Sequence, residues 1–188
     1  YWGYLSPYIE PERLTIGSLM RNAGYTTACV GKWHLGLDWQ LKDDSKPQIL
    51  TPKKFGYTNT DFSAPVKRGP TELGFDYSFI LPASLDMPPY AFVRNDRVVD
   101  PDVILTADAY PKKQDETVYA WDRKHTNEND IYWERGVWWR NGEMSRSFKF
   151  EECFPTIVDE GIAFIDREGR KEKPFFLYMP LTGPHTPW

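Results

Sequence analysis

The sequence predicts an α/β fold, and three observations carry that reading. Near one end a stripe of apolar residues at helical spacing is followed by a glycine and a short β-branched run. Near the other end a longer helical stripe leads through a charged turn into a continuous apolar run. Each apolar run then opens onto a polar loop that carries a histidine. Helix, turn and strand in that order form one unit of an α/β sheet.

The elements follow in order. Ile16, Leu19, Met20 and Ala23 fall at i, i+3, i+4 and i+7, which predicts a helix from Thr15 to Ala23. Thr15 suits the N-cap, and Gly24 suits the left-handed residue that ends many helices. Tyr25 to Val30 is short and β-branched, the pattern of a strand. From Leu41 to Arg68 the chain is polar and broken by Pro47, Pro52 and Pro65, which predicts a loop excursion. Leu73 to Tyr90 mixes glycine, proline and aromatics without a clear period. Residues 92–99 read as a β-hairpin about Asn95-Asp96. Residues 106–147 are polar and tryptophan-rich, again with little periodicity. Order returns with Phe154, Ile157, Val158, Gly161, Ile162 and Ile165, a helical stripe whose first turn tolerates Pro155. Arg167 to Lys173 form a charged turn, and Pro174 to Met179 fit a strand buried on both faces, as in a parallel sheet.

Composition narrows the function. The 188 residues carry 23 Lys and Arg against 27 Asp and Glu, a net charge of -4. That balance argues against nucleic acid as a partner, since backbone recognition needs a basic face. No apolar run approaches the roughly 20 residues that span a bilayer. Cys29 and Cys153 make neither a disulfide framework nor a zinc cluster. The first residue is Tyr and the last segment reads as a loop directly after a strand, so residues 1–188 are expected to be an internal segment of a longer protein.

Of three histidines, two follow the predicted strands: His34 in Gly31-Lys32-Trp33-His34-Leu35-Gly36 and His185 in Gly183-Pro184-His185. In open α/β sheets, ligands bind beyond the carboxyl ends of strands. Lys32 and His34 are two apart, so an extended segment would point both to one side. A fixed cation beside an acid–base group suits a tetrahedral oxyanion such as sulfate or phosphate. His125 has neither a strand before it nor a glycine frame, and it reads as a loop residue.

Gly24-Tyr25-Thr26-Thr27-Ala28-Cys29-Val30-Gly31-Lys32-Trp33-His34-Leu35-Gly36 resembles the second signature of the sulfatases, G-Y-x-T-x-x-x-G-K-W-H-L-G. Gly74-Phe75-Asp76, followed by Pro82-Ala83-Ser84, is similar to that family's G-F-D segment. Pro174-Phe175-Phe176-Leu177-Tyr178, followed by Pro184-His185-Thr186-Pro187, resembles the strand and loop bearing a second active-site histidine. The blocks occur in the family's order across nearly the whole chain.

The resemblance implies an alkaline-phosphatase-like mixed sheet flanked by helices, of which this chain is an incomplete part. It implies hydrolysis of sulfate esters, with a sulfated carbohydrate or an aryl sulfate as substrate. His34 and Lys32 would be catalytic, Lys32 also binding a sulfate oxygen. His185 would act on the ester oxygen, and Ser84 would add a substrate contact. The family's formylglycine nucleophile and calcium ligands have no match here, so both are expected outside the chain. Cys153-Phe154-Pro155-Thr156-Ile157 and Ser63-Ala64-Pro65-Val66-Lys67 mimic the nucleophile motif but lack its arginine and lie on the wrong side of the signature. Asp43-Asp44 reads as a solvated turn, leaving no metal ligand assigned. The family also implies a periplasmic or secreted setting, whereas the residues themselves leave the compartment open. Trp121, Trp133, Trp138 and Trp139 are candidates for stacking on a sugar, with ordinary packing as their other reading. A phosphate or phosphonate ester hydrolase of the same superfamily, or a non-catalytic carbohydrate-binding relative, are the competing functions.

Overall fold

Two-residue alternation in the central strands decides what each face of the sheet covers. A computed structural model describes residues 2–49, 56–110 and 139–185. Along the chain these form α1 (Ile16–Asn22), β1 (Thr26–Lys32), a 3-10 turn (Pro70–Leu73), β2 (Tyr77–Leu81), β3 (Val93–Arg94) and β4 (Arg97–Val98). There follow β5 (Val103–Leu105), α2 (Thr106–Ala109), β6 (Glu143–Ser145), α3 (Cys153–Glu168) and β7 (Phe175–Tyr178). The main sheet has the order β4-β3-β2-β1-β7, and β5 pairs with β6 in a separate ribbon. β1 runs parallel to both neighbours, with Ala28 beside Tyr77 and Leu177, and Cys29 beside Ser78 and Tyr178. The hairpin of β3 and β4 makes the sheet mixed, joining β2 antiparallel and turning at Asn95, whose φ is 54°.

One face of β1 and β2 presents Ala28, Val30, Phe79 and Leu81 to α3 and an aromatic group that includes Tyr90, Trp139, Phe148 and Phe150. The opposite face presents Cys29 and Ile80 to Tyr4, Trp33, Leu37 and Phe75. β1 is buried from Thr27 through Gly31. The Gly74-Phe75-Asp76 block fixes the register at its start. Asp76 accepts from the Thr27 backbone N–H at 2.9 Å, and its own N–H donates to the Thr27 carbonyl at 2.9 Å.

The structure departs from the sequence expectations in four places. β2, the strand beside β1, was hidden in the aromatic stretch 73–90, where flanking glycine and proline mask a short run. The stripe predicted to bury α1 instead faces outward, with Ile16 and Leu19 about half exposed. Its packed face is Gly17, against which the Phe75 ring lies too close for a Cβ. α3 is likewise rotated from the predicted stripe: Cys153, Ile157, Gly161 and Phe164 are buried while Phe154, Ile162 and Ile165 are exposed. β7 lies at the sheet's edge, so its residues are half-buried or exposed rather than covered on both faces.

Candidate functional site

Because β1, β2 and β7 are parallel neighbours, their carboxyl ends lie side by side, and the loops that leave them are knit together. The Lys32 N–H donates to the Pro180 carbonyl at 2.7 Å, just past β7. The Trp33 N–H donates to Leu81 at 2.9 Å, and the His34 N–H donates to Pro82 at 3.0 Å, just past β2. Lys32, the last residue of β1, and His34, Ser84 and His185, on the loops that follow β1, β2 and β7, therefore lie at the same end of the sheet. His34 has a φ of 54°, so the segment is not extended there. The expectation that Lys32 and His34 share a side through simple alternation lapses, and backbone hydrogen bonding to the neighbouring strand ends holds the loop in its place.

The two glycines that frame this loop have separate steric causes. A Cβ on Gly31 would stand 2.1 Å from the Pro180 carbonyl oxygen, and Gly31 takes φ +133°. A Cβ on Gly36, at φ +78°, would stand 2.1 Å from the Ser6 carbonyl oxygen. Between them, Trp33 is a packing anchor: it is buried, and its indole N–H donates to Gly36 at 2.9 Å. The motif thus divides into backbone-approach residues, a core residue and the two polar side chains of Lys32 and His34.

Burial pulls the Lys32 ammonium below its ordinary value, and the nearby Asp86 carboxylate works against that pull. Asp86 and its partner Arg140 were missed by sequence reasoning. Ser84 is 1% exposed and its hydroxyl donates to Asp86 Oδ1, while Arg140 Nη1 meets Asp86 Oδ2 at 2.5 Å. Asp86 lies two residues beyond Ser84, a weak clue. Arg140 arrives from far along the chain, and no local pattern points to it. His185 is half-buried, and its Nδ1 is enclosed without a hydrogen-bond partner among the described residues.

Other candidates fall away on their surroundings. Cys153 is buried within α3, and desolvation pushes its thiol up to about 12, far from a reactive thiolate. Ser63 is exposed and its hydroxyl donates to Asp61 at 2.6 Å. Asp43 pairs with Lys46 at 2.7 Å and caps Ser45, the solvated turn expected of it. Trp139 is 1% exposed and stacks on Phe150 with ring centroids 4.1 Å apart, so it serves the core and offers no sugar platform. Trp121, Trp133, Trp138 and His125 lie outside the described residues. Among the described residues no three of His, Cys, Asp and Glu cluster in a way that could hold a metal ion. They provide no donor set for calcium, and none is assigned to it. No helix among them is long and apolar enough to cross a membrane.

Comparison with known proteins bears on the family of the chain. The sulfatase family model matches residues 3–188. A curated N-acetylgalactosamine-6-O-sulfatase of Bacteroides thetaiotaomicron is 32% identical over 189 residues, covering 95% of this chain and 33% of that protein. A steryl-sulfatase of Rattus norvegicus is 47% identical over 36 residues, 19% of this chain and 6% of that one. Among solved structures, one from work on glycosaminoglycan metabolism by Bacteroides thetaiotaomicron matches with a TM-score of 0.62 and 29% identity. That match covers 99% of this chain and 37% of the other. The chain thus spans about a third of the length of the bacterial relatives it matches.

Proposed function

Since this chain belongs to the sulfatase family, we propose that the protein carrying it hydrolyses sulfate esters of a carbohydrate, with Lys32, His34, Ser84 and His185 on the substrate side of the active site. Its mixed sheet and flanking helices are part of the alkaline-phosphatase-like fold of that family's structures. We read the chain as one portion of a single catalytic domain. The observation that carries the proposal is the knitting of three parallel strand ends through the Lys32, Trp33 and His34 backbone N–H groups.

The chemistry follows from the side chains. A sulfate ester carries its charge on three peripheral oxygens, and a partly buried ammonium interacts with such an oxygen more strongly than an exposed one. Lys32 supplies that cation. His34 carries an imidazole, a general acid–base group suited to taking a proton during sulfate release. His185, from the far side of β1, donates to the ester oxygen and so stabilises the departing alcohol. Ser84 contributes from the floor of the site. The family's formylglycine, in its hydrated form, would supply the nucleophile from outside this chain. The named substrate of the bacterial relative makes a 6-O-sulfated N-acetylgalactosamine the first substrate to try.

The test is sulfate release by the full-length protein from 6-sulfated N-acetylgalactosamine, beside a matched phosphate monoester. Release of sulfate but not phosphate is expected. Preferential phosphate release would make the protein a phosphoester hydrolase, and binding of the sulfated sugar without turnover of either would make it a binding relative.

A further inference from the structure

We propose that Asp86 is the positioning residue of this site, a single buried carboxylate that directs the Ser84 hydroxyl and holds the Arg140 guanidinium against the loop after β2. The proposal rests on the reading of Lys32 and Ser84 as substrate-facing groups.

Asp86 is 4% exposed, and burying a carboxylate is costly unless both oxygens find partners. It has them. Ser84 donates to Oδ1, and Arg140 Nη1 donates to Oδ2 at 2.5 Å and to the Asp86 carbonyl at 3.0 Å. The arginine is fixed at a second point, because its own carbonyl accepts from the Tyr90 hydroxyl at 2.8 Å. Two stretches far apart in the chain therefore meet at one carboxylate: the loop after β2 and the segment that leads into β6.

The arrangement has two consequences. Arg140 is held at the site by its ion pair with Asp86, and the same carboxylate favours the charged form of Lys32, which suits a sulfated ligand. A hydroxyl has one proton to give. With that proton committed to Asp86, Ser84 presents lone pairs to anything above it. It then fits a sugar hydroxyl or an amide N–H, and does not fit a sulfate oxygen. Specificity toward the sugar thereby runs through Asp86, which itself touches no substrate.

The test compares the full-length protein with Asp86→Asn, an isosteric change, and Asp86→Glu. The titratable groups that Asp86 acts on are Lys32 and Tyr90, and Arg140 is its ion-pair partner. The Asp86 charge raises the Lys32 value. In Asp86→Asn, KM for 6-sulfated N-acetylgalactosamine should rise about tenfold or more while kcat changes less than about threefold, and Asp86→Glu should recover part of the loss. NMR titration of isotopically methylated lysines should show the Lys32 midpoint moving down in Asp86→Asn, since burial still acts and the carboxylate no longer opposes it. That measurement needs no turnover, so it decides the positioning role even if the wild-type protein releases no sulfate. An unmoved Lys32 midpoint, or an unchanged KM in an active wild-type background, would overturn the proposal. A lowered melting temperature with both readouts unchanged would mark Asp86 as merely structural and would overturn it as well.

Discussion

Replacing Gly31 with alanine tests how the signature loop is built. The residue has φ +133°, and its Cβ would approach the Pro180 carbonyl oxygen to 2.1 Å and the carbonyl carbon to 2.9 Å. Because both contacts are backbone, no side chain can swing away. Holding a non-glycine residue in such a conformation costs about 1–3 kcal/mol. Relieving the clash requires β7 to separate from β1, which breaks the 2.7 Å bond from Lys32 to Pro180. Losing that bond between two half-buried groups costs about another 0.5–1.5 kcal/mol. Gly31→Ala should therefore destabilise the full-length protein by about 1.5–4.5 kcal/mol. Gly24 is the matched control, since it also has positive φ, at +91°, but nothing lies within 4 Å of its Cβ position. Gly24→Ala should cost about 1–2 kcal/mol, the conformational part alone. Urea denaturation followed by tryptophan fluorescence measures both. Equal stabilities for the two variants would refute the claim that close approach of Pro180, and not φ alone, demands the glycine.

Two further predictions concern the core. Glu143 is buried in β6 and accepts from the Thr58 N–H at 3.0 Å and the Thr58 hydroxyl at 2.7 Å. Burial holds its carboxyl above the ordinary 4.5, so the folded state binds its proton more tightly than the unfolded state. Its contribution is then fully present below the unfolded value and declines as pH rises through the elevated folded one. Glu143→Gln should flatten the stability–pH curve in that window, as read by urea melts at a series of pH values; an unchanged slope would show that Glu143 does not titrate there. Trp139→Ala should cost about 3–5 kcal/mol by opening a cavity against Phe150 and Tyr110. KM at temperatures where the variant stays folded should be unchanged, whereas a large rise in KM would restore Trp139 as a sugar platform.

Much of the fold was legible because its signals are local. Thr15 caps α1 with a hydrogen bond from the Ser18 N–H, and Asn95 turns the hairpin where the sequence placed it. β1 runs two residues past its predicted end because Gly31 and Lys32 pair with Ile80 and Leu81, partners that periodicity cannot reveal. The same limit explains the rotated helix faces: apolar spacing shows that a stripe exists, but the sheet's shape decides which edge of it is covered. For the proposed site, His34 and His185 stand out in the sequence by their place after strands. Asp86 was passed over because an acidic residue in a loop usually faces solvent, and its burial depends on Arg140 arriving from 54 residues away. Long-range pairing of that kind leaves no spacing to read.

A double-mutant cycle on His34 and His185 in the full-length protein tests the central claim, that the loops after β1 and β7 build one active site. Sulfate release would be followed for His34→Ala, His185→Ala and the double variant. Loss of a general base lowers kcat by roughly a hundred- to ten-thousand-fold, and groups that serve one reaction are strongly non-additive. His34→Ala should fall in that range, His185→Ala should lose both kcat and affinity, and the double variant should be little slower than the slower single one. Wild-type kcat in both single variants would contradict the account.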